Sequence, residues 1–273
     1  GIYILLHLEE VSVRRGIPNA ENVSCADTVR KKGMTDRYVA LDVETTGLDP
    51  AKDRLLEIGA VKVEHGEIRE SYETLINTGA PVPYRIQELT GITDEMQKAG
   101  KPLETAMEEM VRFCDGYPIL GHNVQFDYGF LKQSAVRCGL GFEKDGIDTL
   151  KIARTVLPDM RSRTLSAMCA HYHVDPGNSH RALDDARSAH EIFRKMQSEF
   201  GRTEPQAFVL QKMMYSVKKE SPITNSQKGY LNDLLKYHKI KMSICVEEMT
   251  KSEASRMIDH IILQYGRIGS RKG

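Results

Sequence analysis

The chain has 273 residues, 40% of them hydrophobic, which leaves room for one good-sized core and a smaller piece. Net charge is zero, yet lysine and arginine outnumber acids 12 to 7 from Thr203 onward and trail them 26 to 31 before it, giving an acidic body suited to metal and a basic tail suited to nucleic acid or simply to water. The apolar runs at 2–6 and 258–263 are too short to cross a bilayer, no signal-peptide pattern is visible, and the five cysteines (Cys25, Cys114, Cys138, Cys169, Cys245) lack a CxxC pair, which together argue against a membrane span, a disulfide framework or a zinc site and for a cytoplasmic protein.

Residues 1–33 show little periodicity and are read as an N-terminal extension with no assigned role, with Met34 as a natural domain start. Residues 37–48, RYVALDVETTGL, alternate as a half-buried strand does, placing Tyr38, Ala40, Asp42 and Glu44 on one face and Val39, Leu41 and Val43 on the other. Burying an ionised carboxylate costs several kcal/mol unless it is paired or bound to metal, so two acids on one strand face point to a cation. Residues 56–64 and 68–78 continue as an antiparallel meander, followed by a short helix near 85–89, an LTGIT stretch at 89–93 and a helix over 103–114.

A short strand at 117–121 precedes a helix over 124–138, which opens after His122-Asn123 with Asn123 placed to cap it. On that helix Asp127 shares the apolar face of Phe130 and Leu131. A strand at 146–149 and helices over 150–156 and 164–172 come next, and the last helix of the body runs from His180 to about 200. There the spacing aligns Asp185 with Ala182, Ala189, Ile192 and Met196, facing inward, and turns Asp184 to water. Four inward carboxylates on one side of the molecule, with a histidine at the entrance to that helix, therefore stand in an α/β chain whose alternating elements predict a mixed sheet covered on both faces. Residues 201–222 read as a linker, and 223–273 as a basic two-helix module whose capping boxes begin at Thr224 and Thr250.

The motifs Asp42-Val43-Glu44-Thr45-Thr46-Gly47-Leu48, His122-Asn123-Val124-Gln125-Phe126-Asp127 and His180-Arg181-Ala182-Leu183-Asp184-Asp185-Ala186 stand in that order within 34–200. Together they resemble the DEDD exonuclease superfamily, in its histidine-bearing, DnaQ-like subgroup that includes the epsilon proofreading subunit of bacterial DNA polymerase III. The resemblance implies a ribonuclease H-like fold over 34–200 and 3′→5′ hydrolysis of nucleic acid from a free 3′ end, most readily single-stranded DNA. It implies that Asp42, Glu44, Asp127 and Asp185 bind two divalent cations, Mg²⁺ or Mn²⁺, and that His180 is the general base. It also implies that Leu48 wedges against the terminal base, that Thr45 helps place the 3′ end and that Asn123 shapes the pocket.

Oxygen-only ligands agree with hard cations, and an imidazole accepts a proton near neutral pH. Singly, Asp42 reads equally as a capped strand-end acid and Asp127 as an acid favoured by a helix dipole; together they do not. His122 is expected to be structural, and His171, His173 and Asp175 to be helix-end and loop residues. No polymerase segment is legible within these residues, so proofreading implies a DNA polymerase acting in trans. RNA trimming or oligoribonucleotide degradation is the alternative within the superfamily. From another class, the alternative is a recruitment module for nucleic acid or a partner, with the helix pair as its working part, through Lys228, Lys236, Lys239, Lys241, Tyr230 and Tyr237 or through its apolar faces.

Overall fold

Strand β1 (Arg37–Thr45) is the axis of the fold. The computed structural model describes residues 35–178, 180–218, 221–241 and 245–269, so the extension expected at 1–33 lies outside the described residues. Beside β1 lie β2 (Leu55–Glu64) and β3 (Glu67–Leu75), the expected antiparallel meander. On its other edge β4 (Ile119–Gly121) and β5 (Asp145–Asp148) run parallel to it, and β6 (Gln211–Lys212) closes the sheet antiparallel to β5. The order β3-β2-β1-β4-β5-β6 makes a mixed six-stranded sheet.

After the short helices α1 (Tyr84–Thr90) and α2 (Asp94–Lys98), helices α3 (Leu103–Phe113) and α4 (Val124–Arg137) cover one face. Their Met107, Met110, Phe130 and Leu131 pack on Val39, Leu41 and Val43. On the opposite face α5 (Thr149–Val156), α6 (Leu165–Tyr172) and α7 (Ala182–Phe200) bring Ile152, Met168, Ile192 and Phe193 onto Tyr38 and Ala40. Each fully buried side chain of this size contributes about 1.5–3 kcal/mol. Helices on both faces also correct the half-buried reading of β1, since Tyr38 and Ala40 are as covered as Val39 and Leu41.

The β1–β2 register sets Asp42 opposite Gly59 and Glu44 opposite Glu57, all four on the face that receives α7. Gly59 has a specific reason to lack a side chain. A Cβ there would lie 2.1 Å from the backbone of Ala182 and Leu183, so the first turn of α7 rests directly on β2.

The described residues 201–218 of the expected linker belong to the body. A 3₁₀ turn (Pro205–Phe208) and β6 tie them to the body, with Phe208 in one core and Met213 in the other. A two-residue strand leaves no periodic pattern, which is why the sequence reads as a break there. Beyond it, α8 (Asn225–His238) and α9 (Lys251–Tyr265) both carry the expected capping boxes. Their Leu231, Leu234, Ala254, Met257 and Ile261 bury against each other, so the apolar faces are largely spent within the pair. Arg54 Nε donates to Glu253 Oε1 at 2.9 Å, and Arg256 pairs with Asp53 at 3.5 Å, joining α9 to the body. Among the described residues no helix is long and apolar enough to cross a membrane, and the described cysteines are free thiols.

Candidate active site

The carboxylates gather where β1 outruns its neighbour. Strand β4 pairs with β1 only at Val39 and Ala40 and ends at Gly121, so Val43, further along, has no β4 partner for its N–H. Asp127 Oδ1 accepts that N–H at 3.1 Å. This contact corrects the expectation that all four acids stand on one side. Asp127 comes from α4, which packs on the opposite face to α7, and reaches the others around the edge of β1.

Asp185 lies in the first turn of α7, and its Oδ2 accepts the backbone N–H of His180 at 3.2 Å. Donor atoms of Glu44, His180 and Asp185 all lie within 4.8 Å of one another. His180 is exposed and takes a left-handed backbone conformation, with φ of 65°, which is uncommon for a residue with a side chain. Asp184 does not face open water as the helical spacing predicts. It accepts the Asn178 N–H at 2.9 Å and pairs with Arg187 at 3.7 Å, bracing the turn before His180. A wheel projection places a side chain by its own helix and cannot show a chain folding back onto it.

The electrostatics are those of acids packed together. Burial pushes Asp42 well above the usual carboxylate range, and Asp127, Asp185 and Glu44 push it further. Glu44 rises to about 8, through burial first and then the charges of Asp185 and Glu57. Burial also raises Asp127, against the opposing pull of the Val43 N–H, and it raises Asp185 against the His180 N–H. Each acid would be held more comfortably by positive charge. Four carboxylates with an imidazole beside them form a donor set that fits hard divalent cations.

The expected substrate residues fall into place unevenly. Leu48 is 84% exposed at the tip of the turn after β1, so it is no part of the core. The turn is stiffly built: Thr46 N–H donates to the Arg54 carbonyl and Asp49 N–H to Asp53 Oδ2. Gly47 packs so closely on the Asp53 carboxylate that a Cβ would come within 2.5 Å of it. Thr45 spends its hydroxyl on the Gly47 carbonyl, at 2.6 Å. Asn123 does not cap α4 with its side chain; its backbone is left-handed, its N–H donates to Asp148 Oδ1 at 3.0 Å, and its side chain stays exposed. His122 bridges Thr149 Oγ1 and the Arg163 carbonyl, in keeping with a structural part.

Two residues of the site are not singled out by the sequence. Glu57 is completely buried on β2, and Arg181 pairs with it. The signal was present: an acid inside the apolar run Leu55-Leu56-Glu57-Ile58 poses the same question as Asp42. A groove of about 700 Å³ opens beside the turn after β1, bordered by Thr46 and Arg54 on the turn side and by Val82, Tyr84, Met257 and Leu263 across it.

Residues 39–193 match the family model RNase_T, described as an exonuclease. The chain is 34% identical over 173 residues to a DNA polymerase III PolC-type of Clostridium perfringens, covering 62% of this chain and 12% of that one. It thus spans about an eighth of that relative's length. Among solved structures, E. coli exonuclease I in complex with a dT13 oligonucleotide superposes with a TM-score of 0.57 at 16% identity, over 63% of this chain and 43% of that one. A 3′-exonuclease with 3′-end specific recognition of the histone mRNA stem-loop gives a TM-score of 0.55 at 17% identity, over 67% and 88%. At such identities these structures establish the ribonuclease H-like exonuclease fold, and they include neighbours with DNA and with RNA.

Proposed function

We propose, from the premise that this chain belongs to the RNase_T exonuclease family, that it is a metal-dependent 3′→5′ exonuclease releasing nucleoside monophosphates from single-stranded DNA in a proofreading or repair role. The observation that carries the reading is the convergence of Glu44, His180 and Asp185 within 4.8 Å, beside the buried Asp42 and Asp127. Asp42, Glu44, Asp127 and Asp185 are the residues that would hold two divalent ions, Mg²⁺ or Mn²⁺. When bound, such ions supply the positive charge that activates water and steadies the leaving oxygen of a phosphodiester. His180, exposed at the mouth, takes the proton of the attacking water on a ring nitrogen. Leu48, held out on its stiff turn, packs against the terminal base, Thr45 braces that turn next to the 3′ end, and Asn123 lines the opposite wall.

DNA is favoured over RNA by the PolC-type relatives, and the same likeness supports work alongside a DNA polymerase and a cytoplasmic place of work. Within the chain we assign 34–200 to the exonuclease domain, with β6 beyond it completing the sheet. We assign the helix pair of 223–273 to holding the substrate strand, because its apolar faces are largely spent on each other while Tyr230, Lys236, Tyr237, Lys239 and Lys241 stay exposed.

One digestion tests all of this: 5′-labelled single-stranded, duplex and mismatched DNA beside RNA, with Mg²⁺ or Mn²⁺. Stepwise shortening from the 3′ end of DNA is expected, about 10²- to 10⁴-fold slower in His180→Ala. Changing Lys236, Lys239 and Lys241 to Ala should weaken long substrates and spare dinucleotides. Faster loss of RNA moves the assignment to the RNA-trimming alternative, and shortening that does not depend on His180 overturns the mechanism.

A further inference from the structure

We infer that Glu57, acting through Arg181, is a positioning residue that holds His180 in its left-handed backbone conformation and so keeps the imidazole against Glu44 and Asp185. The catalytic part of this inference rests on the exonuclease reading; the conformational part does not.

Glu57 sits opposite Glu44 across the β1–β2 pair, where like charges repel. It is buried to 0% exposure and close enough to Asp42 and Glu44 to raise both. It would pass for a fifth metal ligand, but protein donors already fill both of its oxygens. Oε1 accepts Arg181 Nη2 at 2.7 Å and Nε at 3.1 Å, and Oε2 accepts the Ala182 N–H at 3.0 Å. A second acid, Glu73 of β3, takes Arg181 Nη2 at 3.1 Å. The guanidinium fork is therefore pinned to two strands of the sheet, and the N–H of the following residue to the same carboxylate.

His180 stands immediately before this anchor. A φ of 65° costs an L-residue free energy and persists only where its surroundings impose it. The surroundings here are identifiable. On one side Arg181 N–H donates to the Asn178 carbonyl at 3.1 Å, and Asp184 holds the Asn178 N–H. On the other side Glu57 holds both the Arg181 side chain and the Ala182 N–H, while the absent Cβ of Gly59 lets α7 sit down on β2. Released from Glu57, Arg181 is a one-third exposed side chain whose remaining ion pair among the described residues is with Glu73, and residue 180 relaxes toward negative φ. That rotation carries the imidazole away from its two neighbours.

The test uses the full chain with Glu57→Gln, which keeps the shape and removes the charge, and with Arg181→Lys, which leaves Glu57 in place should the first variant fail to fold. Two readouts are taken: kcat and KM on 5′-labelled single-stranded DNA, and the His180 imidazole signals by NMR in metal-free protein, assigned with His180→Ala. The expected result is a kcat lower by about 10- to 100-fold with KM changed by no more than about twofold, together with a displaced His180 signal. The loss in kcat should vanish when either change is made on top of His180→Ala, since a residue acting through His180 has nothing left to position. Equal losses with and without His180, or His180 signals identical to the parent in both variants, overturn the inference. Should the parent chain hydrolyse nothing, the exonuclease reading falls, and the NMR comparison still decides whether Glu57 positions His180.

Discussion

Glu44 and Glu57 face each other across one register of the β1–β2 ladder, and the protein treats them in opposite ways. Glu57 meets the guanidinium of Arg181 and a backbone N–H, so its charge is settled within the chain. Glu44 is surrounded mainly by other acids, and Arg181 offers it only a weaker, opposing pull. A buried charge that the fold has neutralised is part of the scaffold. One that the fold has left in the company of like charges is set aside for a ligand from outside.

The sharpest way to break this comparison is at Asp42, the acid most burdened by its neighbours. Asp42→Ala should lower hydrolysis by about a thousandfold or more while the fold survives, because the variant loses a ligand and also loses repulsion. Activity within tenfold of the parent would end the enzymatic assignment. Next in size is a pair of opposite stability effects. Glu57→Ala should destabilise the protein by about 1–3 kcal/mol in urea titrations, since it removes the buried partner of Arg181 and leaves the Ala182 N–H unpaired, whereas Glu44→Gln should raise the melting temperature of metal-free protein by a few degrees. Two changes of the same sign would mean that the acids are not different in kind.

The third prediction concerns pH. Glu44 titrates at about 8 in the fold, and Asp42, Asp127 and Asp185 are also raised, each above its value in an unfolded chain. Between the ordinary carboxylate range and about 8 the folded protein therefore keeps protons that the unfolded chain has lost. Stability in EDTA should fall as pH rises through that window. Excess Mg²⁺ or Mn²⁺ should raise the melting temperature by several degrees at pH 8 and flatten the slope. A melting temperature indifferent to metal would count against a cation site. Smallest of all should be Arg256→Ala, which breaks a partly exposed pair with Asp53 and is expected to cost about 1 kcal/mol or less by the same titration.

Much of the site was legible because burial leaves marks on a sequence. Asp42 and Glu44 alternate with Val39, Leu41 and Val43, and Asp127 and Asp185 interrupt apolar helical faces, so each stood out against its own element. Glu57 interrupts an apolar run in the same way, but β2 is apolar on both sides, so Leu55, Leu56 and Ile58 show no alternation from which its face can be read. Asp184 was misplaced for a related reason: its partner, the Asn178 N–H, belongs to a turn that folds back over the helix. Phe208 and Met213 fall within the stretch that reads as a linker because the residues that bury them come from distant elements of the body.

By itself the sequence determined the order and kind of the longer elements, the caps of α8 and α9, and which acids needed an explanation. Those properties are local, decided by residues three or four apart or by alternation along one strand. The tertiary structure decided that Asp127 reaches the cluster from the opposite face of the sheet, that Arg181 rather than a metal answers Glu57, and that Leu48 stands out on its turn. Each of these depends on which distant groups burial brings together, and charges interact through space according to distance and solvent access, not according to their separation along the chain.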